Sequence, residues 1–189
     1  MSLPEALLLV HHDGTTTFFG ASRASSASWF GGPRVLAQLG ARCGPKPLHA
    51  IATLSHVHVP ALRAASLPLV YGLAYDACEL RYRCEGDELH VESVLPERSS
   101  EDWPYPEYPA LLPYVPLQPI ERSREPWSEF RARFGSDARE PIAPLVALVP
   151  PPATIGHSLW GPEGDAEGVT IVFACAPAER RVHAFNVCT

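Results

Sequence analysis

The sequence predicts a mainly β (α+β) fold: a single domain of antiparallel hairpins with one or two short helices and a long proline-rich loop. Three observations lead to this prediction. Apolar and polar residues alternate in several segments, turn-forming residues separate those segments, and 21 of the 189 residues are prolines. Alternation with a period of two is typical of half-buried strands. With 46% hydrophobic residues, residues 1–189 are enough for one core, so we expect one domain.

Three hairpins are predicted where strand-like runs flank turn residues. Asp13-Gly14 tolerates the positive φ angles of a tight turn. Glu85-Gly86-Asp87-Glu88 separates the two most regular alternating runs, and a loop containing Pro177 separates the last pair. The paired runs are 7–11 with 16–19, 80–84 with 89–93, and 169–173 with 181–185. Further strands are predicted at 48–54, 67–73 and 145–149.

Helix is scarce in the predicted fold. The best segment runs from Pro126 to Phe134, because proline suits the first helical position and three aromatic residues follow at spacings of three and four. Gly135 then provides a stop. A second helical pattern covers Arg34 to Leu39.

A proline-rich loop is predicted at about 103–120. Between Pro104 and Pro119 a proline recurs every two to four residues. Each proline removes a backbone donor and restricts its neighbour, which excludes helix and central strand there. The interleaved tyrosines and leucines indicate a loop that packs on the domain.

Composition excludes several classes of function. The formal charge of −6, with Lys46 as the single lysine, argues against binding to nucleic acid, which needs a basic surface. The longest apolar runs, such as 6–10, are far too short to span a membrane. Glu5 stands where a secretory signal has its basic region, so we expect a cytoplasmic protein.

The cysteines are expected to be free, mostly buried thiols. Their odd number, five, and their irregular spacing do not match a disulfide framework. The sequence also lacks a glycine-rich phosphate loop and a dinucleotide fingerprint. We therefore predict a protein without a cofactor.

A hydrolase is the rival interpretation. Gly156 to Gly161 is similar to the nucleophile elbow of lipases, and Ser158, Asp165 and His183 follow in the order of a catalytic triad. Prolines and glycines surround Ser158 where the elbow requires a strand and a helix. Cys43 beside Arg42 is the alternative nucleophile, but no partner for it can be assigned.

A small metal site is the second alternative. His56 and His58 would share one face of a strand, with Cys43 or His49 supplying a further ligand. Zinc sites usually combine four ligands in tight pairs. Histidines two residues apart are not such a signature, so we expect them on a solvated face or beside a turn, and we predict no bound metal.

An acidic stretch and the aromatic loop after it predict a protein-binding surface. Residues 85–102 hold seven carboxylates and one arginine, so the net charge of this segment is −6, the same as the formal charge of the whole chain. Such a field steers a basic protein partner, and proline-held aromatic residues provide anchors for binding. The same charges would also protect a sheet edge, and the aromatic residues would also seal the loop onto the core. The predicted binding residues are Asp87, Glu88, Glu92, Trp103, Tyr105 and Tyr108.

Three elements resemble the YwqG-like domains of unknown function. They are Trp29-Phe30-Gly31-Gly32-Pro33, the segment from Cys43 to Ala52, and Trp160, Asp165 and Gly168 with the strand 169–173. The resemblance implies a mostly antiparallel β fold without an established enzymatic activity. Some members of that family accompany bacterial toxins and are taken to act as immunity proteins. We therefore predict a non-enzymatic, immunity-type protein-binding module.

Overall fold

The architecture is one curled antiparallel sheet with a short helix on its outer face. The computed structural model describes residues 6–32, 42–43, 46–73, 78–85, 88–95, 112–150 and 169–188. The strands of the described residues are β1 (Leu8–His12), β2 (Thr15–Ala21), β3 (Ser28–Phe30), β4 (Arg42–Cys43), β5 (Lys46–Pro47), β6 (His49–Ser55), β7 (Ser66–Tyr71), β8 (Glu79–Glu85), β9 (Glu88–Leu95), β10 (Val115–Arg124), β11 (Leu145–Val149), β12 (Val169–Ala176) and β13 (Arg181–Cys188). Eleven of them form the sheet, in the order β7-β6-β3-β10-β2-β1-β11-β12-β13-β8-β9, and β4 and β5 form a separate pair.

The mainly β fold and all three predicted hairpins are confirmed. β1 and β2 pair from Leu8 opposite Phe19 to His12 opposite Thr15. Between them, Asp13 and Gly14 have φ angles of 47° and 65°, as the tight turn requires. β8 pairs with β9, and β12 pairs with β13. Every neighbouring pair of the main sheet is antiparallel.

The predicted helix at 126–134 is confirmed as α1 (Trp127–Phe130) followed by a 3₁₀ turn (Arg131–Phe134). Gly135 ends it with a φ of 64°. No helix in the described part of the chain has the length and apolar character needed to cross a membrane. The pattern at 34–39 lies outside the described residues.

The prediction that residues 104–119 contain no central strand is wrong for residues 115–119. β10 begins at Val115 and lies between β3 and β2. The carbonyl of Pro116 accepts a hydrogen bond from the Ser22 amide at 2.7 Å. The nitrogen of Pro116 therefore faces the end of β2, and no donor toward β3 is lost. Pro119 borders a bulge opposite Phe19, a position that tolerates proline. Residues 103–111 lie outside the described residues.

Gly31 and Gly32, which follow β3, lie close to residues 112–114, which precede β10. The Gly31 amide donates to the Ile51 carbonyl at 2.7 Å, and the Gly32 amide donates to the Leu112 carbonyl at 2.9 Å. Both glycines have positive φ, and a Cβ at Gly31 would meet the carbonyl oxygen of Pro113. Glycine is therefore required at positions 31 and 32, where residues 112–114 pass close to the backbone.

The inner face of the curled sheet encloses the main core, and a tyrosine closes it. The fully buried Tyr82 side chain reaches from β8 to β7, which is one edge strand of the sheet. Its hydroxyl accepts from the Val70 amide at 2.9 Å and donates to the Pro68 carbonyl at 2.8 Å. Tyr82 thus supplies both a donor and an acceptor to the open side of β7, as a neighbouring strand would.

The outer face carries a second, smaller core beneath α1. Trp127, Phe130 and Phe134 pack there against apolar side chains from β1, β2, β11 and β12. His11 of β1 lies in the same layer and is 4% exposed. Its Nδ1 atom is 3.1 Å from the hydroxyl oxygen of Thr16. Its ring stacks on Phe130 with 4.5 Å between centroids. Burial lowers the pKa of His11, while the charge of Glu125 partly opposes that shift.

The buried His11 predicts acid-sensitive stability. Its pKa is lower in the folded chain than the ordinary value, so below about pH 6.5 the unfolded chain gains a proton that the folded chain resists. We expect the free energy of unfolding, measured with urea, to fall from pH 7 to pH 5, and to fall less steeply in His11→Gln. Equal slopes in wild type and His11→Gln would contradict this assignment.

Candidate functional site

The outer faces of β8, β9 and β13 form a surface of alternating charges, which we call the charged face. Carboxylates and basic side chains of this face contact each other both within β8 and between strands. Arg83 lies 2.7 Å from Glu85, and Arg81 lies 3.0 Å from Glu79. The charged face comprises Glu79, Arg81, Arg83, Glu85, Glu88, His90, Glu92, Arg181 and His183.

Glu92, one of the predicted binding residues, is engaged within this face. Its carboxylate accepts a hydrogen bond from Arg181 Nε at 3.0 Å, and Arg181 also contacts Glu179 at 3.2 Å. Hydrogen bonding to Glu92 raises the pKa of Arg181. The negative charge of Glu92 on β9 is therefore compensated by the guanidinium of Arg181 on β13.

Glu88 is the more exposed of the two described acidic binding residues. Its side chain is 81% exposed, and the Nε2 atom of His90 lies 3.5 Å from its carboxylate. Glu88 begins β9, the strand at the opposite edge of the sheet from β7. Glu85 and Glu88 pair at the end of the β8–β9 hairpin, which we call the hairpin tip. Asp87, Trp103, Tyr105 and Tyr108 lie outside the described residues.

The described residues do not bring a catalytic triad together. His183 lies on β13, and its Nε2 atom lies 2.9 Å from a carboxylate oxygen of Glu79. This contact places His183 in the charged face. Ser158 and Asp165 lie outside the described residues. Cys43 is in β4, but its side chain is not among those described. Within the described part of the chain, no contact between the proposed catalytic residues supports the hydrolase interpretation.

His56 and His58 lie in the turn after β6, which confirms the expectation that they lie beside a turn; the alternative geometry, in which they share one face of a strand, is wrong. β6 ends at Ser55, and the amides of His58 and Val59 both donate to the Ser55 carbonyl, which turns the chain. The Nδ1 atom of His56 lies 3.0 Å from the Leu62 carbonyl, and that of His58 lies 2.9 Å from the Ser28 hydroxyl. Across the described ranges, no three His, Cys, Asp or Glu side chains are grouped to hold a metal ion.

A pocket that the sequence analysis did not predict lies where this turn covers the inner face of β1, β2 and β10. We call it the His58 pocket, and its volume is about 240 Å³. The β1–β2 alternation places Thr15 and Thr17 on one face, but the return of His58 over them depends on distant packing. The lining residues are Val10, His12, Asp13, Thr15, Thr17, His58, Val59, Pro60, Ala61 and Arg122.

Comparison with protein-family models, with curated proteins and with solved structures finds no match to this chain. The resemblance to YwqG-like domains accordingly stays a prediction.

The expectation of free, buried thiols is confirmed for Cys84 and Cys175, and Cys78 is buried as well. Burial raises the pKa of Cys84 to about 11, with a smaller opposing effect of Arg180, and burial also raises the pKa of Cys175. A buried thiol with a raised pKa is a poor nucleophile, because the thiolate is the reactive form.

These thiols should resist alkylation in the folded protein. We expect iodoacetamide at pH 8 to leave Cys84 and Cys175 unmodified in native protein and to modify both in urea, as read by peptide mass spectrometry. The urea sample is the control for reagent and digestion. Modification of either residue in the native protein at the urea rate would show that the inner core is open to solvent.

Proposed function

We propose that this chain is a non-enzymatic protein-binding module that docks a basic protein partner at the β8–β9 hairpin, in the manner of a bacterial immunity-type inhibitor. The observation that best supports the proposal is the exposed carboxylate of Glu88 at the start of an edge strand. The cytoplasm is the compartment we assign to this activity. The proposal adds no catalytic role to any residue.

The shape of β9 favours docking at this edge. The strand is eight residues long, and its outer backbone edge pairs with no strand of the described ranges. Leu89, Val91 and Val94 pack toward the main core and hold the strand in place. A firmly held edge strand offers a partner both backbone hydrogen bonds and a fixed row of side chains.

The ion pairs locate the charge that would steer a partner. Glu79 and Glu92 contact arginines of the charged face at 3.0 Å, so their fields are largely compensated. The hairpin tip carries Glu85 and Glu88, and one arginine, Arg83, pairs with Glu85. Asp87 adds a further carboxylate to the sequence of this turn. We therefore assign electrostatic steering to the tip and a bracing role to Glu92.

The aromatic residues after the hairpin complete the proposed surface. Trp103, Tyr105 and Tyr108 are separated by prolines in the sequence, and prolines reduce the entropy that an anchor loses on binding. Tyrosine and tryptophan are the residue types most enriched at binding hot spots. In this proposal they supply affinity while the hairpin tip supplies the rate of encounter.

Charge reversal at the tip tests the proposal. We expect the double variant Asp87→Arg and Glu88→Arg to slow association with a partner captured from the native host about tenfold at low salt, because like charges then meet. The salt dependence of the association rate should also flatten. Surface plasmon resonance at two ionic strengths measures both quantities.

The matched control is Glu129→Arg, which reverses an exposed carboxylate on α1 and should leave the rate within twofold of wild type. Tyr105→Ala with Tyr108→Ala should raise the dissociation rate of the same complex without lowering the melting temperature. If this variant lowers the melting temperature and leaves the dissociation rate unchanged, the two tyrosines stabilise the fold and do not bind the partner. An association rate indifferent to the tip would refute the steering role of Glu88.

A further inference from the structure

We propose that the His58 pocket binds a small organic monocarboxylate whose anionic group contacts Arg122. This inference is independent of the proposed protein-binding function, because the pocket is built by the β1–β2 hairpin, β10 and the turn after β6, whereas the proposed docking surface is built by β8 and β9.

Arg122 is the cation of the pocket, and it lacks a carboxylate partner within the described ranges. Its guanidinium donates one long hydrogen bond, 3.4 Å, to the carbonyl of His58. The contrast with other arginines is clear, since four of them lie 2.7–3.0 Å from a carboxylate: Arg81, Arg83, Arg133 and Arg181. Arg122 therefore retains donors for an oxyanion, and guanidinium groups bind carboxylates through two parallel hydrogen bonds.

Hydroxyl donors lie beside this cation. Thr17 of β2 is directly opposite Arg122 of β10 in the strand pairing, and Thr15 lies on the same face two residues earlier. Both threonines are partly exposed and line the pocket. A carboxylate bound to Arg122 would therefore have hydroxyl donors next to its oxygens.

The two histidines of the pocket add polar ring atoms to its lining. The Nδ1 atom of His12 lies 2.8 Å from the carbonyl of Pro144, and a carbonyl only accepts, so Nδ1 of His12 donates this hydrogen bond. Burial lowers the pKa of His58, and the charge of Arg122 lowers it further. The remaining charged group that lines the pocket is the carboxylate of Asp13.

This charge balance selects a monoanion over a dianion. One arginine faces the pocket together with one aspartate, in a chain whose formal charge is −6. Because Arg122 and Asp13 cancel, a bound monocarboxylate leaves a net charge of −1 at the pocket and a phosphate dianion leaves −2, so the monoanion is repelled less. The polar part of the pocket thus fits one carboxylate.

The remaining wall is apolar and sets the size of the occupant. Val10, Val59, Pro60 and Ala61 form this wall, and Val10 and Val59 are 3% and 6% exposed. A volume of about 240 Å³ is below the range of roughly 300–1,000 Å³ that is typical of drug-sized ligands. A carboxylate with a short aliphatic or aromatic body, of the size of benzoate, combines both requirements.

Titration of the full-length, ¹⁵N-labelled protein with benzoate tests this inference by NMR. We expect saturable shifts of the amides of Thr15, Thr17 and His58. Benzamide, which has the same body without the charge, should cause none of them, and inorganic phosphate should bind at least tenfold more weakly than benzoate. Phosphate that binds as tightly as benzoate would overturn the choice of a carboxylate.

Arg122→Gln should weaken benzoate binding about tenfold or more, because a charge-assisted bidentate contact is lost. Arg124→Gln removes the same charge two residues along β10 at an exposed side chain outside the pocket lining, and should stay within twofold of wild type. Thr17→Val is a second variant that should weaken binding while preserving the amide spectrum. Equal affinity in Arg122→Gln and wild type, or shifts that map away from the pocket, would overturn the site.

Discussion

The hydroxyl of Tyr82 is the contact that closes the curled sheet. An antiparallel sheet of eleven strands has two edges, and an exposed edge invites pairing with other chains. At β7 the edge groups of Pro68 and Val70 bind the Tyr82 hydroxyl from β8. Tyr71 strengthens the same seam, since its hydroxyl lies 3.0 Å from the Cys78 carbonyl and 2.9 Å from the side chain of Asn186. The inner core depends on this side-chain seam where backbone pairing is missing.

The two edges of the sheet then acquire different roles. The turn between β6 and β7 is held by its own backbone hydrogen bonds, such as that from the His56 amide to the Ala65 carbonyl at 3.0 Å. The Nδ1 atom of His58 lies 2.9 Å from the hydroxyl of Ser28, and His58 lines the His58 pocket. At the other edge, β9 carries charged side chains such as Glu88, which face solvent. One edge is therefore sealed by a side chain, while the other pairs with no strand of the described residues and is where we propose that a partner docks.

Local patterns were sufficient to predict most of the sheet. Asp13-Gly14 and the alternation around Tyr82 predict hairpins because turn geometry and side-chain period are properties of neighbouring residues. β10 was missed because the cost of Pro116 depends on which side of the strand its nitrogen faces, and that depends on the register with β2 and β3. The turn at His56 and His58 agrees with the favoured expectation, but neither the pairing of Glu92 with Arg181 nor the pocket at Arg122 follows from local sequence. These features arise between segments that are far apart in the chain.

The central claim is that one hydroxyl holds the edge strand β7 in place, and hydrogen exchange tests it most directly. Native-state exchange of the Val70 amide is compared between wild type and Tyr82→Phe, with Tyr114→Phe at an exposed ring as the control. We predict that Val70 exchanges only through global unfolding in wild type and in the control. In Tyr82→Phe, the loss of both bonds leaves buried backbone groups unpaired, at a cost of about 1–3 kcal/mol, so β7 should open locally and Val70 should exchange much faster than amides of β1 and β11. Unchanged protection of Val70 in Tyr82→Phe would contradict the account.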